Sequence, residues 1–144
     1  MEIGIHDKKA GIALIAASRG GHKEIFEQLL KIRADVNTQE ESNGNALQAA
    51  SHGGHKEIIG LLLERGADVS AQGGHYVHAL QAASARGHKE IIELLLERGA
   101  DVNAQGGYYG NALQAASWHG HMEIVELLLE KGVDVNAQIG RAHV

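Results

Sequence analysis

The chain has 144 residues, of which 44% are hydrophobic and 22% charged, and these values are ordinary for one globular domain. Its formal net charge of −5 argues against a protein that binds DNA or RNA, because phosphate contacts need a basic face. The sequence contains no cysteine, which excludes disulfides, thiolate metal sites and cysteine nucleophiles, and fits a reducing compartment such as the cytoplasm.

The first predicted element is the apolar segment AGIALIAAS at 10–18. It follows two lysines, as the apolar core of a secretory signal would, but Glu2 and Asp7 precede those lysines. The segment is also in register with NALQAAS and HALQAAS further along, so we predict a helix of the fold here. No apolar run approaches the ~20 residues that a membrane span requires, and we expect no membrane partner.

The chain then repeats itself every 33 residues. The positions that recur include Leu14, Leu47, Leu80 and Leu113, and likewise His22, His55, His88 and His121. Because no insertion interrupts the period, we expect one domain over residues 1–144. Its units are predicted at about 6–38, 39–71, 72–104 and 105–138, with a tail at 139–144.

Each unit contains two helical patterns and a turn-rich segment. ALQAAS, at Ala46, Ala79 and Ala112, predicts a short first helix rich in small residues. HKEIIELLLER at 88–98 predicts a second helix with a broad apolar face and a charged face. A glycine such as Gly99 then ends that helix in a left-handed conformation. The residues up to the next ALQAAS predict an extended finger.

The pattern G-H-x-E-I-hydrophobic-x-L-L-L-x-x-G-A-D-V-N-A, with its period of 33, resembles the ankyrin repeat over essentially the whole chain. The spelling GGxYGNALQAAS is also similar to repeats of large filamentous-fungal ankyrin proteins. The resemblance implies an all-α solenoid of about four helix-turn-helix units with short β-hairpin fingers. It further implies a non-enzymatic scaffold that binds a protein partner on a concave face, which the fingers and first helices form.

Several residues depart from the family's usual Thr-Pro-Leu-His opening. Asn45 and Asn111 replace the threonine and can still cap the first helices. The glutamines at the histidine position can still bond to a neighbouring finger, and they are Gln48, Gln81 and Gln114. Arg33 stands where later units have glycine, and Gly60 lies inside a second helix; each change predicts a loss of about 1 kcal/mol.

The C-terminal sequence NAQIGRAHV does not contain a polar capping helix. Solenoids normally need such a cap, so we expect either a longer array or self-association through this end. The apolar surface of the last helix pair is expected beside Val133 and Val135.

The residues that differ between units indicate the binding surface, since repeated positions must serve the common scaffold. Four of the five aromatic residues fall in the fingers or at the ends of the first helices. In the family geometry both strips lie on the concave side, and aromatic residues and arginine dominate binding hot spots. The predicted partner-binding residues are Tyr108, Trp118, Tyr109, His119, Tyr76, His75, His78, Arg86 and His52. Tyr76 and Tyr109 are in phase, so stacking between neighbouring fingers is an equal alternative for them.

Two other interpretations remain open. The near-identical repeats could reflect an engineered or excised binding scaffold, although Arg33, Gly60 and His78 are poor design choices. An atypical enzyme or metal protein could use the histidines of the concave face, which are His52, His75, His78 and His119. Those histidines have no tight ligand spacing, the in-phase serines are typical of helix packing, and the glycine pairs lack a P-loop lysine. We therefore predict no catalytic, cofactor-binding or metal-binding residue.

Overall fold

A computed structural model describes the backbone of residues 3–133 and the side chains of residues 8–133. Within that range the chain forms eight helices, with the finger segments between successive pairs. The helices are α1 (Ile3–Gly20), α2 (Lys23–Lys31), α3 (Ala46–Gly53), α4 (Lys56–Glu64), α5 (Ala79–Arg86), α6 (Lys89–Glu97), α7 (Ala112–Trp118) and α8 (Met122–Glu130). The end of the predicted fourth unit and the tail at 139–144 lie outside the described residues.

The helices are arranged as a two-row solenoid. The first helices of the units pack in series, α1 on α3, α3 on α5 and α5 on α7, while each second helix packs on the first helix of its own unit. This confirms the predicted fold. Helix α1 begins at Ile3, earlier than the apolar segment at 10–18 indicates. Leu14 and Ile15 are buried within it, so that segment is part of the core.

The core follows the 33-residue period because the same positions of each unit face the shared interior. Leu47 and Leu80 are buried on the first helices, and Ile59, Ile92 and Leu95 are fully buried on the second helices. Alanines fill most of the remaining buried positions of α3 and α5. These small side chains let the first helices approach one another closely, whereas the large aliphatic side chains of the second helices fill the space between the rows.

Polar side chains that the sequence predicts to link the units do so. The side chain of Asn45 accepts a hydrogen bond from the Gln48 amide at 2.8 Å and so caps α3. The Nε2 atom of Gln48 donates to the carbonyl oxygens of Ala71 and Val77, at 3.0 and 2.6 Å, in the next finger. These contacts confirm both predictions, and the bonds fix each finger against the helix of the preceding unit.

The in-phase histidines link successive units in the same way. The Nε2 atom of His55 lies 3.0 Å from the carbonyl oxygen of Arg19, and that of His88 lies 3.2 Å from the carbonyl oxygen of His52. His121 repeats the contact with Ala85 at 2.9 Å. Each imidazole thus joins the start of a second helix to the end of the preceding unit's first helix, as expected of structural residues.

Arg33 and Gly60 are the two residues that depart from the repeat at positions where the backbone conformation matters. Arg33 has a left-handed backbone (φ 65°), as do Gly66, Gly99 and Gly132 in the later units (φ 90–96°). This confirms that the first unit keeps the glycine-type helix end. Gly60 lies inside α4, and a Cβ atom built there would meet nothing within 4 Å.

Apolar side chains are exposed on the last described helix pair, but not where the sequence predicts them. Val133 is buried, and Val135 lies outside the described residues. On α8 the exposed large apolar side chains are Met122 and Leu129, at 68% and 49%, and on α7 Trp118 is exposed as well. Val133 differs from the expectation because its amide bonds to the carbonyl oxygen of Leu128 (3.2 Å), which turns the chain back against α8.

Candidate functional site

Three fingers present the variable residues. Antiparallel backbone bridges close each finger between its first and fifth residues, and the bridged pairs are Glu40 with Gly44, Gly73 with Val77, and Gly106 with Gly110. The tips also contact one another, since the His75 amide donates to the carbonyl oxygen of Ser42 at 3.3 Å. The tip residues are therefore held in a fixed order along one surface.

Val77 is a strained member of this set. Its φ is +73°, where the equivalent Gly44 has +72°. A Cβ atom at Gly44 would lie 1.8 Å from Oε1 of Gln48, so a side chain at this position must displace the glutamine. In the third unit the corresponding bond, from the His78 amide to Oε1 of Gln81, is longer at 3.3 Å than the 2.7 Å bond at Asn45 in the second unit. The valine methyl groups instead lie against the next finger, near Gly106 and Gly107.

The finger tips lie against the ends of the first helices. The Arg19 guanidinium group donates to Oδ1 of Asn43 in the first finger. The rings of His52 and Tyr76 have centroids 5.6 Å apart, and those of Tyr109 and Trp118 have centroids 5.8 Å apart. The two variable strips of the sequence thus form one surface, although they are separated along the chain.

The rings on this surface form a continuous row, which we call the aromatic row. Tyr76 stacks on Tyr109 at 5.9 Å with an angle of 19° between the ring planes, and so joins the second finger to the third. Three further rings make edge contacts with the row: His75 on Tyr76 (5.0 Å), and Tyr108 and His119 on Tyr109 (5.0 and 5.3 Å). The row comprises His52, His75, Tyr76, Tyr108, Tyr109, Trp118 and His119.

Exposure differs along the row. Tyr76 and Tyr109 are half-buried by their mutual stacking, which supports a packing role for both rings. Tyr108 and Trp118 contact each other edge to face at 6.3 Å, yet they are 73% and 67% exposed. Large aromatic side chains exposed together on a soluble protein usually mark a binding surface.

The opposite end of the row is a cationic pocket of about 260 Å³. The residues that line it include Arg19, Asn43, His52, His75 and Tyr76. The pKa of His52 is lowered to about 4, chiefly by burial and then by the positive charges of Arg19 and Arg86. Burial, more than the nearby Tyr109 ring, raises the pKa of Tyr76. At neutral pH the pocket therefore holds a neutral imidazole and a neutral phenol beside the Arg19 guanidinium group, while Arg86, which does not line the pocket, adds a second positive charge near His52.

One predicted residue lies elsewhere. His78 is only 7% exposed, because it occupies the N-cap position of α5, where the second and fourth units have Asn45 and Asn111. It lines a different depression, together with Val69 and other residues below the fingers. The structure also adds Arg19, which the prediction omitted although it is in phase with His52 and Trp118.

The four histidines of the metal interpretation do not form one ligand set. His52 and His75 both contact Tyr76, His119 lies on the far side of Tyr109, and His78 is buried at its helix end. Among the described residues no group of three or more histidine or acidic side chains is placed to hold a metal ion. Of the four in-phase serines, Ser18, Ser51 and Ser84 are fully buried in the helix contacts, whereas Ser117 on α7 is exposed.

Helix pairs that recur every 33 residues and are joined by hairpins define a repeat solenoid, and most of its variable residues lie on one surface. A family model described as ankyrin repeats (3 copies) matches residues 1–73 and 74–139, and the chain belongs to the ankyrin-repeat family. No curated protein sequence matches the chain, so the similarity to filamentous-fungal repeats stays a prediction. None of the helices in the described range is long and apolar enough to cross a membrane.

Proposed function

We propose that this chain is a non-enzymatic module that binds a protein partner through the aromatic row, on the finger-and-first-helix side. Ankyrin repeats are generally protein–protein interaction modules. The observation that carries the proposal is the exposed pair of Tyr108 and Trp118, which touch each other at positions where the other units have no tyrosine, tryptophan or phenylalanine. Tyrosine, tryptophan and arginine are the side chains that most often dominate binding energy.

Site-specific photo-crosslinking tests this proposal. A benzophenone amino acid at Tyr108 should capture a protein from native extract, while the same group at Glu126, exposed on the second-helix side, should not capture it. Unlabelled wild-type chain should compete for the capture, and a Tyr108→Ala/Trp118→Ala chain should not, because losing two anchors costs about 2 kcal/mol or more of binding. Equal capture from Glu126, or equal competition by the double variant, would contradict the proposal.

Self-association through the last unit is a second proposal, and the exposed Met122 and Leu129 favour it. Met122 stands where the earlier units have Lys23, Lys56 and Lys89, each paired with a glutamate of the next unit. We expect sedimentation velocity to show concentration-dependent association that Met122→Lys reduces. A wild-type chain that stays monomeric at high concentration would refute it. The proposed setting is the cytoplasm, with unit boundaries as the sequence predicts them.

A further inference from the structure

The aromatic row has two chemically different ends. Arg19 and Arg86 are exposed beside His52 at one end, and Tyr108 and Trp118 are exposed at the other. In residues 8–133 the ion pairs lie on the second helices and join Lys23 with Glu57, Lys56 with Glu90, and Lys89 with Glu123. Within that range neither Arg19 nor Arg86 is paired with a carboxylate, although Arg19 donates to the Asn43 amide oxygen.

The hydrogen-bond donors around the cationic pocket indicate which kind of ligand group can bind there. The Nε2 atom of Gln48 is already used by two finger carbonyl groups. The Nδ2 atom of Asn43 donates to Oε1 of Glu40 at 2.6 Å, while Oδ1 of Asn43 accepts from Arg19. The Asn43 amide therefore lies between Glu40 and Arg19, which do not pair directly. The donors that line the pocket besides these amides include the Arg19 guanidinium group, the Tyr76 hydroxyl group and the His75 ring, and the Arg86 charge also acts on His52. Guanidinium groups pair with two oxygens of a carboxylate or of a phosphate, so these donors fit an anionic side chain, of which aspartate and glutamate are the genetically encoded ones.

The length of the row sets the spacing of a ligand that reaches both ends. Successive ring centroids from His52 through Tyr76 and Tyr109 to Trp118 are 5.6, 5.9 and 5.8 Å apart. The ends of the row are therefore at most about 17 Å apart, a distance that an extended peptide covers with about five residues.

We propose that the partner contributes an extended segment whose aspartate or glutamate binds between Arg19 and Arg86, and whose aromatic or large apolar side chain packs on Tyr108 and Trp118 about four to six residues away. This proposal rests on the proposed function and adds the chemistry of the partner. It also assigns Arg19 to the binding surface.

The test uses random 16-residue peptides displayed on phage and selected against the full chain. We expect enriched peptides to carry an acidic and an aromatic residue at that spacing. Synthetic fluorescein-labelled copies then give Kd by fluorescence anisotropy. Changing the peptide's acidic residue to its amide, or changing Arg86→Gln, should each weaken binding about tenfold. The two changes together should weaken it little further, because each removes the same contact. Arg98→Gln, an equal charge loss at the exposed end of α6, should leave Kd unchanged.

The outcomes separate this proposal from the proposed function. Enriched peptides that need Tyr108 and Trp118 but have no acidic preference would overturn the acidic segment and leave protein binding standing. Peptides that bind a Tyr108→Ala/Trp118→Ala chain as well as wild type would count against both. Tighter binding when phosphoserine replaces the acidic residue would overturn the carboxylate assignment. A selection that enriches no sequence over Arg86→Gln would overturn the peptide proposal, and crosslinking from Tyr108 would still decide the function.

Discussion

The helix end at Arg33 provides a stability test that can be worked out from the structure. The Arg33 amide donates to the carbonyl oxygen of Leu30 at 3.0 Å, and the Ala34 amide donates to that of Leu29 at 3.1 Å. The same two bonds recur around Gly99, so the first unit forms the same motif with a residue that has a Cβ atom. Arg33→Gly should remove this strain without changing any hydrogen bond.

The expected magnitude is the difference between two backbone effects. A left-handed conformation destabilises the folded state by about 1–2 kcal/mol for a residue with a Cβ atom. Glycine avoids this strain, but its greater freedom in the unfolded chain lowers the free energy of unfolding by about 0.5–1 kcal/mol. The Arg33 side chain is exposed, so little packing is lost. We expect the free energy of unfolding to rise by about 1 kcal/mol, which corresponds to about 2–4 °C in Tm for a chain of this size.

Urea unfolding followed by circular dichroism measures the change, with Arg33→Lys as a control that keeps the Cβ atom and should change nothing. The reverse experiment is Gly99→Ala. Nothing lies within 4 Å of a Cβ atom at Gly99, so only the backbone term of about 1 kcal/mol is lost. Since an end unit can open by itself, hydrogen exchange of the Ala34 amide should also slow in Arg33→Gly. An unchanged or lower stability together with unchanged exchange would refute the left-handed strain.

Three further predictions follow from single sites. Gly60→Ala should stabilise the chain by about 1 kcal/mol in urea unfolding, because the new methyl group meets no neighbour and alanine favours the helix; a loss would contradict this. The folded-state pKa of His52, about 4, lies below its ordinary 6.5, so the unfolded chain takes up the extra proton first. Stability should therefore fall as pH drops from about 6.5 to 4, and His52→Gln should flatten that part of the profile; an unchanged profile would argue against the shift. Tyr108→Ala with Trp118→Ala should unfold within about 0.5 kcal/mol of wild type, while Leu95→Ala should lose about 2–5 kcal/mol; a large loss in the double variant would make the two aromatics packing residues.

The scaffold was predictable because equivalent positions recur every 33 residues, so the role of a residue in one unit can be checked against the same position in the other units. Gln48 and Asn45 recur in phase, and their family roles need only backbone partners that the repeat itself supplies. The left-handed end at Arg33 could be predicted from Gly66 and Gly99 in the same way. The extra length of α1 could not, since no earlier unit defines the register before residue 10.

The surface was harder to predict, because its residues are the ones that do not repeat. The position of His78 between a finger and a first helix predicts the binding strip, although its register with Asn45 and Asn111 indicates an N-cap. The positive φ of Val77 is not expected of a valine, but the glycines at the equivalent positions, Gly44 and Gly110, indicate it. The contacts of the aromatic row depend on finger-to-finger distances, which no spacing along the chain encodes.

The histidine links between units also bear on how such a domain can change its specificity. Each imidazole bonds to a main-chain carbonyl oxygen, at Arg19, His52 and Ala85, and not to the side chains of those residues. Every amino acid supplies that acceptor, so the side chain at this position can be exchanged with little loss of the link. The same positions in the four units carry arginine, histidine, alanine and tryptophan. The side chains at these positions can therefore change binding specificity, by evolution or by engineering, while the histidine hydrogen bonds between successive repeats are retained.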